Sequence, residues 1–440
     1  MSEFQRVKMR KKLIICTLAT TVFVSLLSAQ AQKDYSRFPN PALAELIDHC
    51  HPAAGLNACP YDIAVVPGPD TKAPHGYKPF YISHYGRHGS RSGWDQSRYE
   101  NIISTLQAAK NEGVLTARGD SLLQETIIIR TLVNGMDGRL TLRGQREHRD
   151  IADRMYKRFR RVFRGGDGHV RVISSTVPRC LVSMAAFTNR LQVLEPGLDI
   201  TMDCGAEKIQ HEVSNDAPEE LRNAAKPILD SLRNAMSVDF DAAVLPLFTD
   251  AAAMKRLVPN TKYFTLAIFG TARTSAAFEV EFDVFRFLPF DVIYAWMEYN
   301  NLNMYLGQCN SAQFGDLRMS TAKGVSANIV RCADEAIAGN GPVSDLRFGH
   351  DYPLLALCSM MGLKGVGERY YTTGARKHFS ALNCTPFAGN LQMIFYRSRK
   401  ADSPVLVKVL LNENETEIPS LKPFEGPYYR WEDIREKISQ

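Results

Sequence analysis

Arginine, histidine or both follow a short apolar segment at three places in this 440-residue chain. The first place is Arg87-His88-Gly89-Ser90-Arg91, the second ends at Arg179, and the third is His350-Asp351. Arginine guanidiniums bind phosphate oxygens through paired hydrogen bonds and keep their charge at any workable pH. If the three places meet in the fold, they form a pocket for a tetrahedral dianion rather than a metal site.

The chemistry that such a pocket supports is phosphoryl transfer to an imidazole. Neighbouring positive charge disfavours imidazolium, so His88 is expected to stay neutral below the usual histidine pKa of ~6.5. A neutral ring can attack phosphorus in line while Arg87, Arg91 and Arg179 stabilise the equatorial oxygens. Asp351 is the carboxylic acid placed to protonate the leaving group. A helix N-terminus favours its ionised form, so bound phosphate must raise its pKa, which predicts faster turnover at acidic pH.

Each of the three places lies between a predicted strand and a predicted helix. The predicted strands cover residues 78–85, 170–173 and 345–348. In the second unit Ser174-Ser175-Thr176 supplies capping hydroxyls and Pro178 suits a first helical turn. In the third unit Asp351 could cap a helix that ends at Gly362. The repeated pattern predicts an α/β fold with a mostly parallel central sheet flanked by helices, which collects ligands at the carboxyl ends of its strands.

The periodicity also suggests how the chain divides into domains. The stretch 205–339 has mainly helical periodicity, and its simplest interpretation is an inserted helical domain. Residues 32–204 and 340–440 would then form the α/β catalytic domain. The segments Gln392–Tyr396 and Pro404–Leu411 predict a closing β-hairpin.

The net charge of +6 does not indicate a nucleic-acid partner, because most of it lies at the N-terminus. Five basic residues and one acidic residue fall within residues 1–31, a net +4 that leaves +2 for the remainder. An apolar run, Leu13–Leu27, and Ser28-Ala29-Gln30-Ala31 follow, which is typical of a signal peptide cleaved near Ala31. The run is shorter than the ~20 residues of a membrane span. We therefore expect export to the periplasm or the medium, with no stable membrane anchor after cleavage.

Cleavage would leave eight of the nine cysteines, an even number that permits disulfides in an exported chain. Cys50 and Cys59, nine residues apart, have the spacing of a local disulfide. Several of the others fall on apolar helical faces, where a buried free thiol is ordinary. The absence of any Cys-x-x-Cys spacing argues against a zinc site.

Two further features of the sequence are interpreted as structural. The segment Arg143–Arg164 carries nine Lys and Arg residues beside an apolar helical face. We interpret it as a solvated charged face in preference to a basic rim that attracts polyphosphorylated substrate. His84, on the first predicted strand, is interpreted as a hydrogen-bonded core histidine rather than a catalyst.

The combination of motifs resembles the histidine acid phosphatases, the branch of the histidine phosphatase superfamily that includes phytases. The resemblance is carried by residues 87–91 and by His350-Asp351, each after a strand, and covers most of the mature chain. Leu140-Thr141-Leu142-Arg143-Gly144 is similar to the family's Leu-Thr-x-x-Gly segment, and residues 174–179 are similar to its Ser-x-x-x-Arg element. Residues 346–350 and 407–413 look most similar to multiple inositol polyphosphate phosphatases.

The resemblance implies a phosphoglycerate-mutase-like α/β core with an inserted helical domain, and it implies that no metal or cofactor is required. It makes His88 the phosphohistidine nucleophile and Asp351 the proton donor. The phosphate-binding residues that it implies are Arg87, Arg91, Arg179 and His350. This chain departs from the pattern at Gly93, where the family usually has proline, and at His350-Asp351, where the inositol polyphosphate subgroup usually has His-Ala-Glu.

The sequence thus predicts an exported phosphomonoesterase, with inositol polyphosphates as the substrate class and no nucleic-acid partner. A broad acid phosphatase or sugar-phosphate phosphatase is the alternative within the enzymes. An exported binding protein for phosphorylated ligands is the alternative outside them. The oligomeric state is not determined by the sequence.

Overall fold

The computed structural model describes residues 33–205, 213, 223–400 and 402–439. The predicted signal peptide lies outside these residues. The chain divides into two compact units, Met1–Glu45 and Leu46–Gln440. The described part of the first unit is 33–45, and the second contains the whole sheet. The inserted helical domain predicted over residues 205–339 stays a prediction.

The central element of the second unit is a mixed β-sheet. Its strands within the described residues are β1 Tyr77–Arg87, β2 His169–Ser174, β3 Asp199–Asp203, β4 Ser344–Gly349, β5 Asn390–Ser398, β6 Leu406–Leu411, β7 Asn414–Glu415 and β8 Tyr428–Arg430. Their order is β3-β2-β4-β1-β5-β6-β7, with β8 also paired to β6. The strands β3, β2, β4 and β1 are parallel, whereas β5 and β6 are antiparallel to their neighbours. The predicted α/β fold, its three parallel strands and the closing hairpin are confirmed.

One parallel strand, β3, was not predicted. Its sequence, Asp199–Asp203, has no buried residue and carries an acidic residue at each end, so it lacks the apolar run by which a central strand is recognised. It lies at the edge of the sheet, where a half-exposed strand is tolerated.

The described α-helices connect and cover these strands. They are α1 Pro41–His49, α2 Tyr61–Ala64, α3 Ser97–Asn111, α4 Ala117–Leu132, α5 Leu142–Phe163, α6 Pro178–Leu194, α7 Lys226–Asn234, α8 Phe240–Val244, α9 Ala251–Leu257, α10 Thr261–Ser275, α11 Phe290–Gln308, α12 Lys323–Ile337, α13 Asp351–Met361, α14 Thr372–His378, α15 Ala381–Cys384 and α16 Trp431–Ile438. None of the helices in this part of the chain combines the length and hydropathy of a membrane span.

The sheet is covered on both faces, because alternate side chains of each strand point to opposite sides. On one side α5 and α6 pack against β1, β2 and β4, and the core there includes Ile82, Val172, Phe187, Leu346 and Phe348. On the other side α12 and α13 pack against β1. Burial on two faces explains why β4 is buried at every position.

The helices between β3 and β4 do not pack only among themselves. The helix α10 packs against α3, which belongs to the connection between β1 and β2. Gly270 of α10 provides the space for this contact, since a Cβ there would lie 2.5 Å from the guanidinium of Arg98. The helical part of the molecule is therefore built from two separate stretches of the chain.

The cysteines differ from the prediction made from their spacing. All eight that the structure describes are free thiols, so no disulfide joins Cys50 to Cys59. These two residues flank the 3₁₀ helix His51–Ala58, one before it and one after it. Cys59 is buried, whereas Cys50 is partly exposed.

Candidate active site

The carboxyl ends of β2, β4 and β1 lie side by side and bring the three sequence motifs together. The backbone N–H of His88 donates to the carbonyl of Gly349 at 3.0 Å, and that of Ser175 donates to the carbonyl of Phe348 at 2.9 Å. Parallel strands end at the same edge of a sheet, so their following turns are neighbours. All six predicted site residues are found at this edge.

His88 lies at the centre of the group, with 2% of its surface exposed. Its Nδ1 is 2.9 Å from the carbonyl oxygen of Gly89. A carbonyl only accepts, so Nδ1 carries the hydrogen and Nε2 presents its lone pair. Burial lowers the pKa of His88 well below its usual value, and the charges of Arg87, Arg179 and Arg91 lower it further. The ring is therefore neutral and has a defined nucleophilic atom.

Three guanidiniums surround this ring and retain unused N–H donors. Within the described residues, no acceptor is found for Nε of Arg87, Nε of Arg91, or Nε and Nη1 of Arg179, although these atoms are buried. Burial, then Arg87 and Arg179, lower the pKa of Arg91 to about 9. Buried donors without acceptors are costly, and like charges repel. An anion with several oxygens would relieve both costs.

His350 joins this anion site through Arg179. Nη2 of Arg179 lies 3.1 Å from Nδ1 of His350. Since arginine has no acceptor, Nδ1 holds the lone pair and the hydrogen is on Nε2, 3.3 Å from the hydroxyl of Ser175. Burial and the charge of Arg179 lower the pKa of His350 to about 4. The ring of Tyr352 stacks on it at 5.2 Å.

Asp351 is the first residue of α13 and does not cap it, contrary to the prediction. The capping position belongs to His350, and Oδ1 of Asp351 instead accepts from the N–H of Tyr352 at 3.1 Å. Its Oδ2 pairs with Nη2 of Arg87 at 3.0 Å. Burial raises the pKa of Asp351, but Arg87, the side chain of Asn57 and His350 outweigh burial and lower it to about 2. The carboxyl group is ionised in this state.

The predicted capping hydroxyls of the second motif have a different use. The residue that caps α6 is Val177, which has no capping side chain, and Pro178 is the first helical residue, as predicted. The hydroxyl of Ser175 instead contacts His350 and accepts from the N–H of Val177 at 3.4 Å. Ser175 therefore orients a site residue rather than a helix.

Glu147, which was not predicted, holds the loop of the first motif in place. Its carboxylate accepts from the N–H of Ser90 at 2.7 Å, from the hydroxyl of Ser90 at 2.6 Å and from the N–H of Tyr61 at 3.0 Å. Burial raises the pKa of Glu147 to about 7. The available signal was an acidic residue on the apolar face of a helix, where a charge without partners is unfavourable.

Trp94 is a second residue that was not predicted. Its indole lies 4.9 Å from the guanidinium carbon of Arg179 and 5.5 Å from that of Arg91. It is 58% exposed, and behind it Gly138 has φ +61 and leaves no room for a Cβ, which would lie 2.5 Å from the ring. The indole covers a face of each guanidinium, and the in-plane N–H groups remain available to an anion.

The basic helix α5 has the character of a charged, ion-paired face. Four of its arginines and Arg164, the residue directly after it, pair with carboxylates, namely Arg143 with Asp62, Arg146 with Glu279, Arg154 with Glu413, Arg158 with Asp70 and Arg164 with Glu195. Their charges are thus largely balanced within the protein. This arrangement agrees with the interpretation as a charged face and does not support a substrate-attracting rim.

Comparison with known proteins identifies solved structures with the same architecture. A multiple inositol polyphosphate phosphatase from Bifidobacterium longum, solved with phosphate, has a TM-score of 0.71 and 17% identity over 88% of this chain and 97% of its own. It has also been solved with inositol hexasulfate. A phytase from D. castellii has a TM-score of 0.66 and 13% identity over 88% of this chain and 84% of its own. A Hafnia alvei phytase has a TM-score of 0.50 and 11% identity over 83% and 98%.

No protein-family model matches this chain, and no curated protein matches its sequence. At these identities the structural matches establish the fold. The chain has the α/β fold of the histidine acid phosphatases, so the resemblance drawn from its motifs is confirmed at the level of fold.

Proposed function

We propose that this protein is a phosphomonoesterase that hydrolyses phosphate esters through a phosphohistidine intermediate. One arrangement in its site supports this proposal. A neutral imidazole of defined tautomer lies among three guanidiniums that keep unused buried N–H donors. The site thus combines a nucleophile with buried donors for the oxygens of a phosphoryl group.

In the first step Nε2 of His88 attacks phosphorus in line, and the bond from phosphorus to the ester oxygen breaks. Arg87, Arg91 and Arg179 bind the phosphoryl oxygens, and His350, whose ring nitrogens contact Arg179 and Ser175, positions Arg179 beside them. These donors are already in position, so charge that develops in the transition state is stabilised without reorganisation. Asp351 gives its proton to the leaving alkoxide and becomes a carboxylate.

In the second step water attacks the phosphohistidine and the bond between phosphorus and Nε2 breaks. The Asp351 carboxylate accepts a proton from that water, which returns the acid used in the first step. Inorganic phosphate leaves and His88 is neutral again. The low pKa of Asp351, about 2, means that the negative charge of the bound substrate must raise it before the first step.

We infer that inositol polyphosphates are the substrate class. The support comes from the fold, which this chain shares with a multiple inositol polyphosphate phosphatase solved with inositol hexasulfate and with a phytase. The ion pairs of α5 do not support excess basic charge on that helix as the source of this selectivity. A broad acid or sugar phosphatase is the alternative.

The mechanism is tested by labelling with His88→Ala as the comparison. Acid quenching of the wild type with a radiolabelled phosphate ester should trap phosphate on His88, and His88→Ala should show no label and no turnover. Turnover that survives in His88→Ala contradicts the mechanism. Binding without turnover in the wild type would instead support a binding protein.

The substrate class is tested by measuring phosphate release from inositol hexakisphosphate, glucose 1-phosphate and an aryl phosphate. We expect the highest kcat/KM for inositol hexakisphosphate. Equal values for the three esters would favour a broad acid phosphatase, and a preference for glucose 1-phosphate would favour a sugar phosphatase.

We also propose that the protein is exported after cleavage near Ala31, on the basis of the N-terminal sequence alone. N-terminal sequencing of the protein recovered outside the cytoplasm should begin at Gln32. Recovery of the intact N-terminus from the cytoplasm would contradict export.

A further inference from the structure

One amide side chain, that of Asn57, contacts the proton donor and is itself held by a buried arginine. Its Nδ2 donates to Oδ2 of Asp351 at 2.8 Å, and its Oδ1 accepts from Nη2 of Arg273 at 2.9 Å. Its backbone carbonyl accepts from Arg87. Asn57 is therefore placed between two arginines and the carboxylate of the proposed acid.

The orientation of this amide is determined by its partners. Arginine has donors and no acceptor, so the amide oxygen must face Arg273 and the amide nitrogen must face Asp351. Arg273 also donates to the carbonyl of Gly55 at 3.2 Å and lies 3.3 Å from Oδ1 of Asn300. Contacts on two sides hold the guanidinium in position.

The segment that carries Asn57 has an unusual backbone. Leu56 has φ 52 and ψ −114, is fully buried and interrupts the 3₁₀ helix His51–Ala58. A residue other than glycine in such a conformation costs ~1–3 kcal/mol and persists only where its surroundings enforce it. The backbone here is held in a conformation that directs the next residue, Asn57, to the site.

The two oxygens of Asp351 consequently have different surroundings. Oδ2 receives two side-chain donors, Asn57 and Arg87, whereas the one donor to Oδ1 among the described residues is the N–H of Tyr352. Protonation of Oδ2 would place a hydrogen against two donors, so the proton is favoured on Oδ1.

We propose that Asn57 and Arg273 are positioning residues for Asp351. Arg273 holds the Asn57 amide, and the amide holds Oδ2, so that Oδ1 carries the proton delivered to the leaving oxygen. This inference rests on the proposed phosphatase function and adds to it a contribution from α10, outside the strand ends that supply the other site residues. Asn57 touches the acid, and Arg273 touches Asn57.

The test uses leaving groups that differ in their need for a proton. An alkoxide needs one to leave, whereas a nitrophenolate leaves without it. We expect Asn57→Ala to lower kcat on glycerol 2-phosphate by roughly 10- to 100-fold, the scale of a misplaced catalytic group. On p-nitrophenyl phosphate we expect a loss of less than about threefold. The backbone carbonyl that Arg87 uses is retained in this variant.

Two further variants separate positioning from folding. Arg273→Met removes the donor that holds the Asn57 amide and should show the same dependence on the leaving group. Asn300→Ala removes the other amide near Arg273 but keeps the contacts of Arg273 with Asn57 and Gly55, so it should change the ratio of the two rates less than Arg273→Met does. In an Asp351→Asn background, Asn57→Ala should cause no further loss on glycerol 2-phosphate, because residues that act through one another are not additive.

The outcomes distinguish this inference from the proposed function. Wild-type hydrolysis of both esters, with equal losses on both in Asn57→Ala and Arg273→Met, overturns the positioning role and leaves the phosphatase in place. A wild type that hydrolyses neither ester overturns both. If Asn57→Ala lowers the rate on glycerol 2-phosphate as much in the Asp351→Asn background as in the wild type, the positioning role is also overturned.

Discussion

At the scale of single residues, the site keeps its two proposed reacting groups in opposite protonation states. His88 is neutral because burial and three guanidiniums oppose its protonation, and Asp351 is ionised because Arg87 and Asn57 favour the carboxylate. The nucleophile is thus ready before substrate arrives, whereas the acid is not. Dianionic substrate, which competes for the same arginines, is needed to protonate Asp351.

This asymmetry predicts how the rate depends on pH. The acid must be protonated in the enzyme–substrate complex, so kcat on an alkyl phosphate should fall as the pH rises from 5 to 9 through the raised pKa of Asp351. Burial and the three arginines hold the pKa of His88 well below its usual value, and loss of a proton from His88 would raise the rate, so His88 does not account for this decline. The measurement is kcat on glycerol 2-phosphate across this range.

The control for this prediction is Asp351→Asn, which removes the titrating acid. Its kcat on the alkyl ester should be lower by about 10²- to 10⁴-fold, the usual contribution of general acid catalysis, and should lose most of the decline with pH. A wild-type rate that climbs steadily from pH 5 to pH 9 is incompatible with Asp351 as the acid.

At the scale of elements, the loop 87–91 is shaped by its contact with the start of α5. Thr141 caps this helix by accepting from the N–H of Gly144 at 3.2 Å, and its hydroxyl donates to the carbonyl of Ser90 at 3.0 Å. A Cβ on Gly89 would lie 2.7 Å from the Cα of Gly144. Two glycines in contact therefore let the helix approach the loop that carries His88.

Gly144→Ala should disturb this approach. The new methyl would lie 2.8 Å from the backbone nitrogen of Ser90 and in closer contact with its carbonyl oxygen. Since neither backbone atom moves without the loop, we expect a loss of about 1–3 kcal/mol in unfolding free energy and a fall in kcat/KM of at least about tenfold. Denaturant unfolding and phosphate release measure the two effects.

Gly307→Ala is the matched control, because Gly307 lies inside helix α11 and a Cβ there has no neighbour within 4 Å. It should keep wild-type activity and gain about 0.4–1 kcal/mol from the reduced freedom of the unfolded chain. Wild-type activity in Gly144→Ala would show that the loop does not depend on this contact.

At the scale of the whole molecule, two buried histidines near the site, His84 and His148, are neutral. Burial lowers the pKa of His84 and of His148 to about 3. His148 lies with its ring centroid 5.6 Å from that of Phe348, and neither of its ring nitrogens has a partner in the described structure. His84 is a core residue, as predicted, but its Nδ1 has no hydrogen-bond partner within the described residues.

These histidines predict a loss of stability in acid. Below pH ~6.5 the unfolded chain binds protons that the folded chain does not, so each such group lowers the unfolding free energy as the pH falls towards 3. The slope per histidine is about 1.4 kcal/mol per pH unit. Glu147 opposes this trend, because burial raises its pKa to about 7. Between pH 7 and 4.5 the folded chain therefore binds a proton that the unfolded chain does not, and the unfolding free energy rises as the pH falls across this range.

His148→Phe removes one of these groups and keeps an aromatic ring beside Phe348. Denaturant unfolding at pH 4, 5 and 6 should show a pH dependence that is shallower by about 1.4 kcal/mol per unit. His75→Phe, at an exposed position, is the control and should leave the dependence unchanged. An unchanged slope in His148→Phe would show that this ring is protonated in the folded protein.

Much of this site could be predicted from the sequence, because its central residues follow strands. Apolar strand segments are local patterns, and parallel strands place their following turns at one edge. Arg87, His88, Arg179 and His350 could therefore be brought together without knowledge of the tertiary contacts. Arginine and histidine side chains that meet at one edge then indicated a phosphate-binding site.

The supporting residues could not be found in this way, because they are distant in the chain and lie in no recognisable pattern. Asn57 is 294 positions from Asp351 and 216 from Arg273, and Glu147 is 57 from Ser90. Periodicity reports the environment of a segment and not the partner of one side chain.

The sequence by itself determined the chemical groups, the parallel sheet and the edge at which the groups meet. Only the tertiary structure decided the tautomer of His88, the ionised state of Asp351 and the donors that remain unused. The physical reason is that protonation and orientation depend on burial and on the few nearest dipoles and charges. Those neighbours come from segments that only the folded chain brings into contact.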